Sequence, residues 1–527
     1  MKSGLFNFLG AGMAKWGRPP ILARLLCTSL DRRDSIGRFA SMPHPSFRSF
    51  CETLESSGEL RRIATPVATE LQITELADRE MKSPGGGKAL LFEKPTIDGR
   101  TSAFPLAINT MGSRRRMAMA LGLEKIDELA DQMQFLMKAK PPRTLREAFA
   151  LLRNGIDVLH ARPRHVRSAP CQEVVHEPGG NFSLHDLPVL RCWPDDGGRF
   201  ITLPTVFTKD PDTGDRNVGM YRMQVFDGWT TGMHWQVHKV GARHGKRYYE
   251  RGEKMPVAVA LGGDPALTFA ATAPLPDGLD EILFAGFARK KSVELVKAVT
   301  VDIDVPANAD FVIEGYVQPG EIRPEGPFGD HTGFYTNVDD YPVFHVTAIT
   351  HRRDAIYPAT IVGIPPMEDF YMGEASVRVF LPVFKMNFPE IVDMALPAEG
   401  VFHNLVFVSI RKQYPLQAYK IMHGLWGMGQ MMFSKYIVVV DEDCDVHNTS
   451  EVLFRLCANT DPQRDSTFVK NPSDSLDHAP TIANTGSHMG FDATRKLPSE
   501  GYSRGWPSLV KMSPEIQAWA DKFSAPL

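Results

Sequence analysis

The chain has 527 residues, 43% hydrophobic and 23% charged, with a formal net charge of −3 at pH 7. That length calls for about three domains at roughly 100–200 residues each. The near-neutral balance excludes a global basic field for nucleic acid, and no uninterrupted apolar run reaches the roughly 18 residues of a membrane-spanning helix.

Residues 1–41 carry Lys2, Lys15, Arg18 and Arg24 before the first acid, Asp31, and Arg32, Arg33 and Arg38 follow. This composition suits an organelle transit peptide and equally an over-long translation start with Met42 as initiator. The two readings imply a mitochondrial matrix or a cytoplasmic protein, and either sets these residues apart from the fold. The six cysteines (Cys27, Cys51, Cys171, Cys192, Cys444 and Cys457) form no C-x-x-C pair, which points to a reducing compartment without a disulfide framework.

Phe47, Phe50, Cys51 and Leu54 mark one helical face, which Gly58 terminates. Pro84-Gly85-Gly86-Gly87 predicts a turn and lacks P-loop spacing, and Ala89–Phe92 follows as a strand. From about residue 161 to 352 the pattern turns strand-rich. Pro211–Asp215 is hairpin-loop chemistry, and Val257–Leu261, Phe311–Val317 and Val343–Thr350 read as strands, together a barrel-like or α+β core. Beyond 353, Val406–Ile410, a helix over Leu416–Met432 and Tyr436–Val440 form a strand–helix–strand unit with parallel strands. The expected domains are therefore 42–160, 161–352 and 353–527.

Three stretches concentrate reactive groups. Glu325-Gly-Pro-Phe-Gly-Asp330-His-Thr-Gly-Phe-Tyr335 sets two carboxylates five residues apart in a Gly/Pro-stiffened backbone beside aromatic rings. If both faced one pocket their pKa values would be driven apart, giving one acid and one base; on residues alone a solvated turn fits as well. Asn217–Arg222 followed by His234-Trp235-Gln236-Val237-His238 offers a guanidinium for a carboxylate. Asn217 and His238 could also ligate a cation, although paired surface or core histidines fit this spacing too. Asp441-Glu442-Asp443 with Asp445 closes a strand and suits a metal or ribose site, or solvated acids and a helix cap.

The 325–335 segment resembles the signature stretch of the UbiD-type decarboxylases. Colinear matches follow at Ala169–Gln172, Cys192–Pro194, Asn217–Arg222, Ala260–Pro265, Glu294–Lys297, Phe388–Asp393 and Gly486–Thr494, covering Phe47 to Pro507. The resemblance implies a central split β-barrel flavin-binding domain flanked by N- and C-terminal α/β domains. It implies non-oxidative decarboxylation of an aromatic acid with prenylated FMN, through Arg222, Glu325 and Asp330. Implied metal ligands are Asn217, His238 (or His234, if the local match slips) and Glu281, holding Mn2+ or Mg2+, with K+ as a further cation. Flavin contacts fall on Met220, Tyr221, Arg222, His234, Trp235, Gln236, Lys239 and Val240, with Thr202 and Lys412 as weaker candidates. A flavin prenyltransferase as cofactor supplier, a homo-oligomer between dimer and hexamer, and peripheral membrane association complete the expected partners. The aspartate at 330 resembles the branch acting on 4-hydroxybenzoate-type ubiquinone precursors, whereas Pro365–Gly373 resembles a subgroup acting on menaquinone precursors; other aryl or acrylic acids, and a non-catalytic flavin-binding assembly subunit, stand as alternatives.

Overall fold

The computed structural model describes residues 44–138, 162–235, 239–275 and 279–523. The leader reading of residues 1–41 and the roles expected of Gln236 and His238 lie outside the described residues. Helix α1 (Phe47–Ser56) starts where the periodicity predicts. Ser46 caps it by accepting from the Ser49 amide, and Phe47, Phe50, Cys51 and Leu54 are its buried face. Strands β1 (Leu60–Ile63), β2 (Ala89–Phe92) and β3 (Leu106–Ile108) then form a small mixed sheet, β2 lying parallel to β1 and antiparallel to β3.

The strand-rich centre comprises β4 (Val174–His176), β5 (Thr205–Lys209), β6 (Arg216–Met220), β7 (Thr230–Gly232), helix α2 (Val240–Arg251), β8 (Met255–Leu261), helix α3 (Glu281–Ala288) and the long β9 (Phe311–Glu325). A short hairpin of β10 (Phe328–Gly329) and β11 (Tyr335–Thr336) leads into β12 (Asp339–His351). Seven of these strands form one antiparallel sheet in the order β6-β5-β8-β9-β12-β7, with β4 also on β12. Among the described residues no pairing joins β6 to β7, so no closed barrel is found where a split β-barrel was expected. Residues 211–215 do form the expected hairpin turn, with Lys209 opposite Arg216. Past an irregularity after Val317, β9 pairs again with the start of β12 and delivers Glu325 to the sheet's end.

Strand β13 (Tyr357–Ala359) returns to pair with β3, and the 20-residue α4 (Glu368–Asn387) follows. The last sheet uses β14 (Ile391–Ala395), β15 (Leu405–Ile410), helix α5 (Gln417–Trp426), β16 (Tyr436–Asp441), helix α6 (Thr449–Asn459), β17 (Ser466–Asn471) and β18 (Gly486–Asp492), in the order β14-β15-β16-β18-β17. β15 and β16 are parallel around α5, as the strand–helix–strand pattern predicts. The helix expected to reach Met432 stops at Trp426. Gly427 ends it, and Gly429 takes a positive φ of 48° before a 3-10 turn, a conformation a helix cannot continue through. The whole is a multidomain α/β fold. Five described cysteines are free, four of them buried.

Candidate active site

The site forms where the end of β9, the loop after β6 and the tip of the β10–β11 hairpin meet. Glu325 is the last residue of β9, Arg222 follows β6 by two residues, and Asp330 leads a turn closed by its own carbonyl accepting from the Gly333 amide at 2.9 Å. Gly333 has φ 80°, which supplies the left-handed step of that turn. The hairpin is pinned from below. Buried Asp196 accepts from the Gly329 amide at 2.8 Å and from the Trp193 amide at 2.8 Å, and Gln224 accepts from the Gly326 amide at 2.7 Å.

Arg222 joins both acids. Its Nε donates to Glu325 Oε1 at 3.0 Å, one Nη donates to Asp330 Oδ2, and the other donates to Thr336 Oγ1 at 3.3 Å. Its guanidinium also lies over the Phe328 ring, 4.7 Å from the centroid. The side chains of Glu325 and Asp330 are 0% and 8% exposed, so these are desolvated ion pairs rather than surface bridges. Gly232 makes room for Glu325: a Cβ there would sit 2.9 Å from Oε2. His234 Nδ1 lies 2.9 Å from Glu325 Oε1, and its ring tilts against Tyr341 at 4.2 Å. Within this cluster two buried atoms, Glu325 Oε2 and His234 Nε2, have no hydrogen-bond partner among the described residues. A buried site with unfilled valences is built to receive something.

Burial alone would raise the Asp330 carboxyl, but the Arg222 charge and the hydrogen bonds from His331 outweigh it and hold the group well below the usual carboxylate range. His331 answers in the opposite sense: burial works to lower it, and the Asp330 hydrogen bond and charge raise it above an ordinary imidazole. Its Nδ1 is 2.8 Å from Asp330 Oδ1 and its Nε2 is 2.9 Å from Nε2 of His403. Burial pushes His403 down to about 4, with His331 adding to the effect.

The other expected residues form a second cluster on β6 and α3. Asn217 is buried on β6 beside Thr208, and Glu281 begins α3 and accepts from the Val218 amide, next to Asn217, at 3.0 Å. Tyr221 folds back so that its phenol lies over Gly219, where a Cβ would stand 2.5 Å from the hydroxyl oxygen. Burial pushes the Glu281 carboxyl up to about 7, as for a carboxylate lacking its counter-charge. An amide oxygen and a desolvated carboxylate are hard donors suited to Mg2+ or Mn2+. Among the described residues no group of three or more His, Cys, Asp or Glu stands ready for a metal. Lys239, at the start of α2, is lowered by burial with Asp474 as the opposing charge, and no side chain caps the helix. A half-buried ammonium beside a helix N-terminus with no side-chain cap fits a phosphate.

His234 sits at the acids, on Glu325. Trp235 is buried with its ring against Gly241 and Gly245 of α2, and its indole N–H has no protein partner. Met220 ends β6, half-buried. Thr202 accepts from the Thr360 amide at 3.1 Å, and Lys412 is enclosed by Asp492, Thr494 and Glu500. The 441–445 acids are consumed locally. Asp441 accepts from the Arg495 amide, Asp443 pairs with Arg455, and Asp445 accepts from the His447 amide, one residue before the cap of α6. The residue-level reading gave no role to Asp196, Gln224, Thr336, Tyr341, His331, Asp369 or His403. Only His331 and Asp369 carried a signal, by lying inside motif stretches.

Three family models match consecutive parts of the chain: the N-terminal domain of 3-octaprenyl-4-hydroxybenzoate carboxy-lyase over residues 51–136, its Rift-related domain over 164–365 and its C-terminal domain over 370–493. The chain belongs to this UbiD family, and it is a carboxy-lyase. An uncharacterized protein of Archaeoglobus fulgidus is 48% identical over 482 residues, 91% of this chain and 98% of its own. Vanillic acid decarboxylase of Sedimentibacter hydroxybenzoicus, in closed form, is 27% identical with TM-score 0.77 over 91% of this chain and 98% of its own. The UbiD-class enzyme HmfF of Pelotomaculum thermopropionicum, solved in complex with FMN, is 26% identical with TM-score 0.74 over 90% of this chain and 99% of its own.

Proposed function

We propose that the chain decarboxylates a 4-hydroxy-3-polyprenylbenzoate-like aromatic acid, a ubiquinone precursor, with prenylated FMN. The observation that carries this reading is one desolvated arginine held between two carboxylates, with Glu325 Oε2 and His234 Nε2 left unpaired beside it. When bound, the prenylated flavin supplies the electron sink that an aryl carboxylate needs before its C–C bond can break. Asn217 and Glu281, with His238, would hold the metal at the flavin phosphate, and Lys239 with the start of α2 would neutralise that phosphate. The sheet running from β6 to β7 would be the split-barrel scaffold that binds the flavin.

Arg222 positions the substrate carboxylate by a two-point grip. Because Arg222 already faces two acids, the incoming carboxylate takes over the contact held by Asp330, while Glu325 keeps the guanidinium plane fixed. Asp330, released from its counter-charge, becomes basic enough to carry a proton and passes it to the carbon that loses CO2. Exposed apolar side chains beside the turn, Phe334, Val338 and Ile364, suit a substrate with a hydrocarbon tail. The test is co-expression with a flavin prenyltransferase, then visible absorption, intact cofactor mass and CO2 release. The panel comprises 4-hydroxy-3-polyprenylbenzoate, a menaquinone-type precursor, vanillic acid and 3,4-dihydroxybenzoic acid. Turnover confined to acids lacking a prenyl chain would remove the substrate assignment, and a loaded protein inert on all four would remove the decarboxylase mechanism.

A further inference from the structure

Three donors converge on the Asp330 carboxylate. Oδ2 accepts from Arg222, and Oδ1 accepts from the backbone amide of His331 at 2.7 Å and faces the His331 ring Nδ1 at 2.8 Å. A proton on Oδ1 would point at another N–H and one on Oδ2 would compete with the Arg222 contact, so the resting ion pair favours a store other than Asp330. The far side of His331 meets Nε2 of His403 at 2.9 Å, and Nδ1 of His403 is buried without a protein partner. The Phe402 ring packs 5.7 Å from that of His331.

We propose that His331 stores the proton that replaces CO2, giving it up through Asp330, and that His403 is the positioning residue that holds the imidazolium in line. This rests on the decarboxylase reading above. The resting chain is Asp330 carboxylate, His331 doubly protonated, and His403 neutral, accepting on Nε2. When a substrate carboxylate engages Arg222, the His331 Nδ1–H bond breaks, leaving its electron pair on nitrogen, and an O–H bond forms on Asp330 Oδ1. That O–H then breaks as a C–H bond forms with the electron pair released by loss of CO2. Solvent restores the proton to Asp330 in the emptied pocket, and Asp330 returns it to His331.

The electrostatics run the same way. Asp330, Asp369 and Asp474 all raise His331 against its burial, while His403, itself under the influence of Asp474, Asp477 and Lys435, is lowered. Burial lifts Asp369 to about 7, opposed first by His331. A raised His331 is cationic below its folded pKa and loses the proton as pH rises through it, so turnover must fall on the alkaline side. Were Asp330 the only store, its lowered pKa would make turnover decline steadily with pH across the neutral range.

The experiment uses the full chain labelled with 15N-histidine, assigned with His331→Gln, and then the loaded enzyme. At pH 7 both ring nitrogens of His331 should appear protonated and His403 should appear neutral. In the loaded enzyme His331→Gln should lower kcat by about 10²-fold or more with KM little changed, and should abolish the alkaline limb. His403→Phe should fold, keep flavin and move that limb to lower pH. A neutral His331 at pH 7 in the wild-type chain overturns the proposal without needing any variant to fold, as does an unchanged alkaline limb in His331→Gln. If wild type loaded with prenylated FMN releases no CO2 although His331 is cationic, the decarboxylase reading fails and takes the proton's destination with it.

Discussion

Two buried ion networks in this molecule share a plan and differ in completion. In one, Arg222 sits between Glu325 and Asp330; in the other, Lys412 sits between Asp492 and Glu500, with side-chain exposures of 3%, 3% and 12%. Lys412 also donates to Thr494 Oγ1 at 2.9 Å and to the Arg495 carbonyl at 3.2 Å, and Lys496 adds a second cation between Asp492 and Asp465. No atom of that C-terminal network lacks a partner among the described residues, whereas Glu325 Oε2 and His234 Nε2 do. Burial of charge therefore does not mark the active site here, because the structural network is just as dry. What sets it apart from the Lys412 network is unfilled hydrogen-bonding capacity beside a cation that already faces two acids and can exchange one of them.

If that difference is real, variants in the two networks must fail in different ways. The largest expected effect is on chemistry. Asp330→Asn in the loaded enzyme should keep flavin and fold but lose about 10²–10⁴-fold in kcat, since an amide cannot carry the proton. Arg222→Lys should be comparably severe, because an ammonium cannot reproduce the planar grip; both are read by CO2 release beside the flavin spectrum. Lys412→Met should do the reverse. Removing one partner of a buried pair costs about 3–5 kcal/mol, seen as an earlier denaturant midpoint, with kcat preserved wherever the protein is folded. Loss of activity without loss of stability in Lys412→Met would erase the contrast.

Smaller effects sharpen it. Glu281→Ala should weaken metal and flavin retention by roughly tenfold or more while leaving the Arg222 cluster intact, measured by metal content and cofactor absorbance after dialysis. Asp330 should also show itself in stability against pH. Its folded pKa is depressed, so its contribution is fully present above the unfolded value near 3.8 and is lost as pH falls through the folded one. Denaturant titrations from pH 5 downward should therefore show the wild type losing stability faster than Asp330→Asn. Removing residues 1–41 should change least, because Ser46 and Phe47, which cap and bury α1, are retained; unchanged solubility and midpoint check it.

The sequence made the Arg222–Glu325–Asp330 trio readable and the residues that position it nearly invisible. Glu325 and Asp330 share one contiguous Gly/Pro-rich stretch, and Arg222 lies in a second stretch that the family resemblance sets opposite them. His403 reaches His331 across 72 residues from a turn between a 3-10 segment and strand β15, and no spacing rule foretells such a contact. Asp196 is similar: one of two adjacent acids in a loop, told apart from Asp195 only once Gly329 and Trp193 are seen to donate to it. Strand positions were legible because short, continuous apolar and β-branched runs such as 257–261 and 436–440 suit buried strands. The length of α5 was not, since it was decided by Gly427 and Gly429 against an otherwise helical composition.

The most direct test of the central claim, that the Arg222–Glu325–Asp330 cluster replaces CO2 with a proton, follows the proton itself. Wild-type enzyme loaded with prenylated FMN is turned over in D2O with the aromatic acid that it decarboxylates fastest, and the product is analysed by mass spectrometry and NMR. One deuterium, placed on the carbon that lost CO2 and formed at a rate that collapses in Asp330→Asn, is the predicted result. Product without deuterium at that carbon, or an Asp330→Asn enzyme that labels it at the wild-type rate, would contradict the account.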